Sequence, residues 1–511
     1  MADPTINKDT GMKKTLGLTG VTVNAMALIA PGAFLWITFQ IQAANTGGAT
    51  DMWTGIVAAL VVAFLTAIAF SEMARRYPEA GAGGSYYFAE KAFLDKENSK
   101  HHKYARLSKF LTGWAAHLFY WVYPGVMVAM MATLVTYVMG QFNVNLTIPM
   151  QIVVAVVFSV FVGFIAVRGI TGSTNVAIAI NVIQLISLIG FSVLAISFRV
   201  VNPTHATQWA HSGGPSIVFP HSLSAMLFQS TIAILILVGF ESSTSLAGEA
   251  INPKRDIPRG IILSLIIQGL FAYLLEYFAA NYAVCEKLTF TNPDGSILTG
   301  MDAAAASGAP IGDLTRLIGD SMLGGNGFAL MIVIAITVGL AVLGTTLAAI
   351  NTAVRVSFAM AQDKEMPELL GALHGKFATP HMGVWVLVAV SAILGSVGVL
   401  SVTALTGITL ASNIGTFALY AMICGLTVVT FVGRTEFHSI KHAVIPILGL
   451  LGNIGLLVGV VVIGLTTPGV SADATKLAIW ITLGWGAVSV AYLLWNSKKQ
   501  EKAIFPYAAR Q

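Results

Sequence analysis

The chain has 511 residues, 56% of them hydrophobic and only 10% charged, with a net charge of +5. A soluble globular protein is nearer a quarter charged, so this composition excludes a water-soluble fold and makes the bilayer most of the chain's solvent. The basic residues are dispersed among short loops, which excludes a nucleic-acid surface. Cys285 and Cys424 cannot make a disulfide framework, and no metal-type Cys/His spacing surrounds them.

The N-terminus, "MADPTINKDTGMKKTLG", has no short apolar core followed by a small-residue cleavage site, so the first apolar stretch reads as a retained span. A span needs roughly 20 mostly apolar residues. Twelve stretches qualify: 16–44, 52–76, 110–140, 148–167, 171–198, 223–248, 260–285, 327–360, 382–402, 404–432, 443–467 and 477–497. The fourth and fifth are parted only by "VRGITG", the ninth and tenth only near Ser401 to Thr403. Loop charge tests the count, because basic residues collect on the cytoplasmic side. With the N-terminus inside, only Arg199, Lys287, Arg316 and Lys476 of the 28 Lys and Arg fall outside. Twelve spans with both termini cytoplasmic follow. Segments 1–15 and 498–511 are then tails, 16–432 a core, and 443–497 two further spans. The longest outer loop, 286–326, carries Glu286, Asp294, Asp302, Asp313 and Asp320 and reads as a solvated surface loop with short helical pieces.

Two spans carry helix breakers at depth. The first reads "NAMALIAPGAF", with Ala30-Pro31-Gly32 in its middle. Pro removes a backbone donor and clashes with the preceding turn. The sixth reads "QSTIAILILVGFESSTSLAGEA", with Gly239 beside Glu241 and the run Ser242 to Ser245. These are the first spans of two five-span halves, 16–198 and 223–432. Interruptions at matching positions point to an inverted-repeat transporter with its site between the breaks. Freed N–H groups suit a carboxylate, and freed carbonyls suit an ammonium or a small cation. An amino acid zwitterion carries both charges.

Glu241 is an ionisable group deep in a span, a functional-site hypothesis by default. It fits two roles, a proton carrier or a structural glutamate bonded to broken-helix N–H groups. Glu276 of the seventh span fits an outer vestibule or an interhelix pair. His117 of the third span reads best as an interhelix hydrogen bond. Asn351, Ser412 and Asn413 are polar positions in spans eight and ten that can face a cavity. Arg75, Arg76, Arg255, Arg259, Arg355 and Asp363 lie at inner helix ends, as an ion-paired inner gate or as interfacial anchors.

Three segments then carry a resemblance. "FSEMARRYPEAGAGGSYYF" (70–88), "GFESSTSLAGEAINPKRDIPRGI" (239–261) and "NTAVRVSFAMAQDKEMP" (351–367) resemble the second-span exit, the sixth span with its exit loop, and the eighth-span ending of the amino acid–polyamine–organocation (APC) permeases. The resemblance implies an all-α polytopic membrane protein of the LeuT type. That type has two inverted five-helix repeats, two more spans, interrupted helices 1 and 6, and alternating access around a midplane substrate. It implies a first-span cradle whose backbone binds the substrate carboxylate, here at Ala30, Pro31, Gly32 and Ala33. Pro31 takes one N–H from that cradle unless Gly32 and Ala33 supply the donors. The substrate-contacting backbone of the sixth span carries over onto Ile236, Leu237, Val238 and Gly239, and an aromatic gate of relatives falls on Leu235. Tyr120 and Tyr123 match positions near the substrate, where aromatic faces attract amines. The Lys of some proton-coupled relatives falls on Thr171, so a Lys-based switch is not supported.

The expectation is therefore a secondary transporter of amino acids in a plasma membrane, as in a bacterial inner membrane, and not an enzyme. It uses no cofactor and couples to protons, with sodium left open. The alternatives are a polyamine or cationic amine carrier and, from a different class, a channel, for which no filter-like loop is visible.

Overall fold

The computed structural model describes residues 14–44, 49–96, 98–168, 174–202, 217–292, 294–375, 377, 379–467 and 469–505. The described residues are helical nearly throughout, because backbone polar groups in lipid must be satisfied within the segment itself. In order the helices are α1 Leu18–Ile29, α2 Pro31–Ala43, α3 Met52–Arg76, α4 Ser85–Leu94, α5 Ala105–Gln141, α6 Ile148–Val167, α7 Thr174–Val201 and α8 Leu223–Leu237. They continue with α9 Pro253–Phe278, α10 Gly300–Ala306, α11 Pro310–Met322, α12 Gly327–Gln362, α13 His381–Gly398, α14 Val402–Phe431, α15 Ile445–Thr466 and α16 Val470–Lys499. Among the described residues, 11 helical stretches are long and apolar enough to cross a membrane. α1 and α2, of 12 and 13 residues, are each too short to do so alone.

α5, 37 residues long, is the mast against which α12, α13 and α14 pack. α3 packs on both α8 and α9, and α1 lies on α9. Peripheral helices turn apolar side chains outward, such as Val157 and Phe161 on α6, Ile186 and Val193 on α7, and Leu483 and Leu494 on α16. Water would penalise such faces and lipid does not. Several helices outrun their apolar stretches: α5 starts at Ala105 rather than 110, and α16 at Val470 rather than 477. Helical hydrogen bonding continues past the hydrocarbon boundary. Ser401 parts α13 from α14 as an N-cap, its Oγ accepting from Ala404 N at 3.0 Å.

One end of the bundle gathers both ends of the described chain. Leu16 bridges Ala250 in parallel, and Arg106 donates to the carbonyls of Lys502 and Ala503 at 2.7 and 3.0 Å. The opposite, distal end holds segment 286–326, which is not a solvated loop. It contains a hairpin (β1 Thr289–Thr291, β2 Ile297–Thr299, with Phe290 opposite Leu298) followed by α10 and α11. α11 buries Ile311, Leu314 and Ile318, one stripe of an amphipathic helix, and packs on α12 and α2. Asp313 is drawn in with it and accepts from Tyr137 OH of α5 at 2.7 Å. The apolar stripe outweighs the acidic residues between.

Candidate functional site

The anomaly at Ala30-Pro31-Gly32 is a break between two helices. α1 ends at Ile29, and Ala30 takes φ 31° and ψ 63°. Left-handed backbone costs a residue with a Cβ about 1–2 kcal/mol, and Ala30 is fully buried. Pro31 is then the first residue of α2. At that position its missing N–H has no helical partner to lose and its fixed φ suits the turn.

The break frees carbonyls at the end of α1, and side chains from four helices bond to carbonyls of its last two turns, Met26 O in addition to the N–H of Ala30 at 3.1 Å. Val23 O accepts from Asn181 Nδ2 of α7 at 3.1 Å, and Met26 O from Gln268 Nε2 of α9 at 3.2 Å. Ala27 O accepts from Thr345 Oγ1 of α12 at 3.0 Å, and Leu28 O from Tyr123 OH of α5 at 2.9 Å. On the α2 side Pro31 has no donor, and Ala33 N–H turns back to Ala30 O at 2.9 Å.

The second break follows α8. Val238 is extended, Gly239 takes φ 126°, and Phe240–Leu246 form a tight 3-10 turn. Only glycine adopts such a φ readily. Space demands glycine as well, since a Cβ there would stand 2.8 Å from Ile29 N and 2.9 Å from the Leu28 carbonyl carbon. The two breaks touch.

Glu241, 2% exposed, lies where they meet. Its Oε1 accepts from Tyr120 OH at 2.9 Å, and its Oε2 from Tyr420 OH at 2.6 Å and Gly239 N at 3.0 Å. Three donors converge on one carboxyl, which offsets part of the cost of burying it. Aromatic rings enclose it. Phe240 and Tyr420 stand 5.2 Å apart between centroids, Phe70 and Tyr420 5.8 Å, and Phe119 and Tyr120 4.5 Å.

The end of α1 at Leu28 and Ile29, Gly239, Tyr120, Tyr123 and Glu241 thus meet in one buried neighbourhood. Ala30, Pro31, Ala33 and Ile236 to Val238 are buried next to it in sequence, whereas Gly32 is half-buried and faces Gln184 of α7. Leu235 is buried one turn earlier on α8. Asn413 Nδ2 donates to Thr231 O of α8 at 2.7 Å, and the Ser412 hydroxyl is buried beside it in sequence without a partner. Asn351 lies elsewhere. It lines a cavity of about 110 Å³ that rises from Thr15, Glu249 and Arg355 to Asn24, Ala27 and Ser242.

The charged residues of the expected gate do not pair with one another. Arg355 Nη2 meets Glu249 Oε1 at 2.6 Å in the wall of that cavity. Arg75 pairs with Glu72 on its own helix at 3.1 Å, Arg76 with Glu436 at 3.3 Å, and Arg255 with Asp256 at 2.7 Å. Asp363 joins Lys109 and Tyr86 OH, each at 2.9 Å. The buried lock at this end is Arg106 with Glu365 at 2.8 Å. His117 bonds Ser357 Oγ at 2.8 Å and Gly113 O, joining α5 to α12. Thr171 lies outside the described residues.

Tyr420, Gln268 and Thr345 escaped the sequence reading. Tyr420 carried a usable signal: it stands seven residues after Asn413, two helical turns on the same face of α14. Gln268 and Thr345 carried none, since each matters through partners on distant helices, Met26 O and Asn181 Oδ1 for Gln268 and Ala27 O for Thr345.

A family model described as amino acid permease matches residues 14–488. The chain is 24% identical over 389 residues to a low-affinity putrescine importer of Escherichia coli strain K12, covering 75% of this chain and 74% of that one. It is 23% identical to a methylthioribose transporter of Bacillus subtilis strain 168, over 96% of this chain and 95% of that one. It is also 23% identical to a branched-chain amino acid permease of the same organism, over 95% of this chain and 94% of that one. A match across nearly the whole chain, with helices long and apolar enough to cross a bilayer, leads to one conclusion. The chain belongs to the amino acid permease family of the APC superfamily, as a multi-pass membrane transporter rather than an enzyme.

Proposed function

We propose that the protein is a secondary transporter that moves amino acids by alternating access and couples their movement to protons through Glu241. One observation carries the reading: Glu241 sits where the two broken helices touch, held by Tyr120, Tyr420 and the Gly239 N–H. A substrate entering this point competes with the carboxyl for its donors, and protonation of the carboxyl releases them. With α1 and α2 counted as one interrupted span, the 11 long stretches become twelve. The first five and next five would then form the inverted repeats of a LeuT-type fold. The basic loops, holding all but four of the 28 Lys and Arg, support an orientation with both termini in the cytoplasm. The cavity beside Arg355 is then the inward vestibule.

A second reading, an amine carrier, has its own support. Pro31 lacks an N–H and that of Ala33 is used within the break, which leaves Gly32 to supply the donor for a carboxylate at this turn. The aromatic-walled Glu241 suits an ammonium instead. The putrescine importer among the relatives is compatible with this reading.

The test is uptake by proteoliposomes under imposed proton or sodium gradients, with amino acids and diamines as substrates. Saturable counterflow and proton drive are expected, and flux that never saturates would indicate a channel. Glu241→Gln should abolish proton-driven uptake and keep some exchange; unchanged proton drive would remove Glu241 from the coupling role.

A further inference from the structure

Five described acids are 2% exposed or less: Asp51, Glu241, Asp256, Glu276 and Glu365. Asp256 and Glu365 face the guanidinium groups of Arg255 and Arg106. Asp51 takes the N–H groups of His221 and Ser222 and the Thr54 hydroxyl, and Glu241 has its three donors. Glu276, on α9 in the distal half of the bundle, has one partner, Gln42 Nε2 of α2 at 2.9 Å. A buried carboxylate with a single amide donor is poorly compensated.

Two atoms beside that bond are also out of balance. Glu276 Oε2 and Gln42 Oε1 are buried without a hydrogen-bond partner. Both accept, and the groups that bear them are already joined by one N–H···O bond. A single hydrogen on Oε2 suits both, because a carboxylic acid and a carboxamide present complementary donor and acceptor edges. We propose that Glu276 is protonated in this conformation and that its acid–amide pair with Gln42 is a proton-dependent clasp on the distal halves of both broken helices. The clasp extends beyond the pair. Gln42 O accepts from Gln229 Nε2 of α8 at 3.0 Å, and Gln42 Nε2 also lies 3.4 Å from Met52 O at the start of α3. One proton therefore ties α2, and through it α8, to α9. Its loss leaves a buried charge beside an amide oxygen, which drives the elements apart.

The surroundings hold no neutralising cation among the described pairs. α1 and α2 carry no ionisable side chain, and α7 carries Arg199 in its last turn. α3 has Glu72, Arg75 and Arg76 at its far end, and α9 has Lys254, Arg255, Asp256 and Arg259 at its own far end. Glu241 lies on the turn after α8. At the distal end are the phenols Tyr273, Tyr277 and Tyr282, with His221 before α8 engaged by Asp51.

The clasp rests on α2 and α8 being the moving halves of the transporter proposed above, but its test uses no substrate and does not involve Glu241. Infrared spectra of the purified protein near neutral pH should show a protonated-carboxyl band that is lost in Glu276→Gln and kept in Glu241→Gln. Hydrogen exchange of α2, read with a labelling pulse at fixed pH, should quicken about tenfold in the wild type as the incubation pH rises, as one buried bond is lost. Glu276→Gln donates the same hydrogen permanently and should stay protected at every pH. Gln42→Leu should exchange fast at every pH. A band that survives Glu276→Gln, or a wild-type pH profile in either variant, would overturn the clasp.

Discussion

Gly239 presses on Ile29 so closely that a Cβ at 239 would stand 2.8 Å from the Ile29 nitrogen. The interrupted helices are therefore in backbone contact at the point where Glu241 is held. Gly239→Ala adds both a clash and a forbidden φ, so a loss of about 2–4 kcal/mol in stability is expected. Thermal unfolding and uptake should fall together; a variant with full activity would mean that the breaks do not stay in contact.

The Tyr420 hydroxyl, 2.6 Å from Glu241, is the shortest of its three bonds. A hydrogen bond to a charged group is worth about 1.5–3 kcal/mol, so Tyr420→Phe should lower saturable uptake by about 10–100-fold. Tyr123→Phe, which removes the donor to the Leu28 carbonyl and leaves the three donors of Glu241 in place, should leave the pH profile of uptake unchanged. A pH profile altered equally by both would argue against a special role for Tyr420.

Pro31 opens α2 and has no helical bond to lose. Pro31→Ala should fold with a stability change of about 1 kcal/mol or less, and it returns one N–H to the cradle. Competition binding should then shift about tenfold toward carboxylate-bearing solutes over simple amines. No shift would mean that the first break does not read the carboxylate.

Arg355 and Glu249 meet at 2.6 Å in the cavity wall. Arg355→Ala should raise the labelling rate of a cysteine placed at Asn351 and alter uptake, and exchange of the two charges should restore much of both. Failure of the swapped pair to recover would assign Arg355 a role outside the ion pair.

Asp313, in the distal cap, is held above the ordinary carboxyl value by burial, against the hydrogen bonds from Ser307 and Tyr137. A raised folded-state pKa means that the protonated form favours the fold and that this contribution is lost as pH rises through the raised value. Asp313→Asn cannot ionise, so the gap between its unfolding midpoint and that of the wild type should widen in its favour as pH rises above about 4, the ordinary aspartate value. Parallel curves across that range would refute the assignment.

The spanning helices and both breaks were legible in the sequence because they follow from local rules, whereas α4 between the second and third spans was not. Apolar length marks a span, and Pro31 and Gly239 mark where a helix cannot continue. The distal cap was legible only as a set of short helices, because the acidic residues of 286–326 masked the apolar stripe of α11. The charged gate residues shared an end of the bundle, which loop charge reveals. Their partners followed from geometry: Arg355 chose Glu249, and Asp363 chose Lys109.

By itself the sequence determined that the chain lives in lipid, how many apolar stretches it has, and where two of them break. Only the tertiary structure decided what the breaks contain. Tyr120 and Tyr420 reach Glu241 across 121 and 179 residues of chain, and Gln42 reaches Glu276 across 234. The physical reason is one of range. Helix length and breakage depend on neighbours within a turn or two, whereas a buried polar atom takes whatever partner the packing of distant helices brings within 3 Å or so.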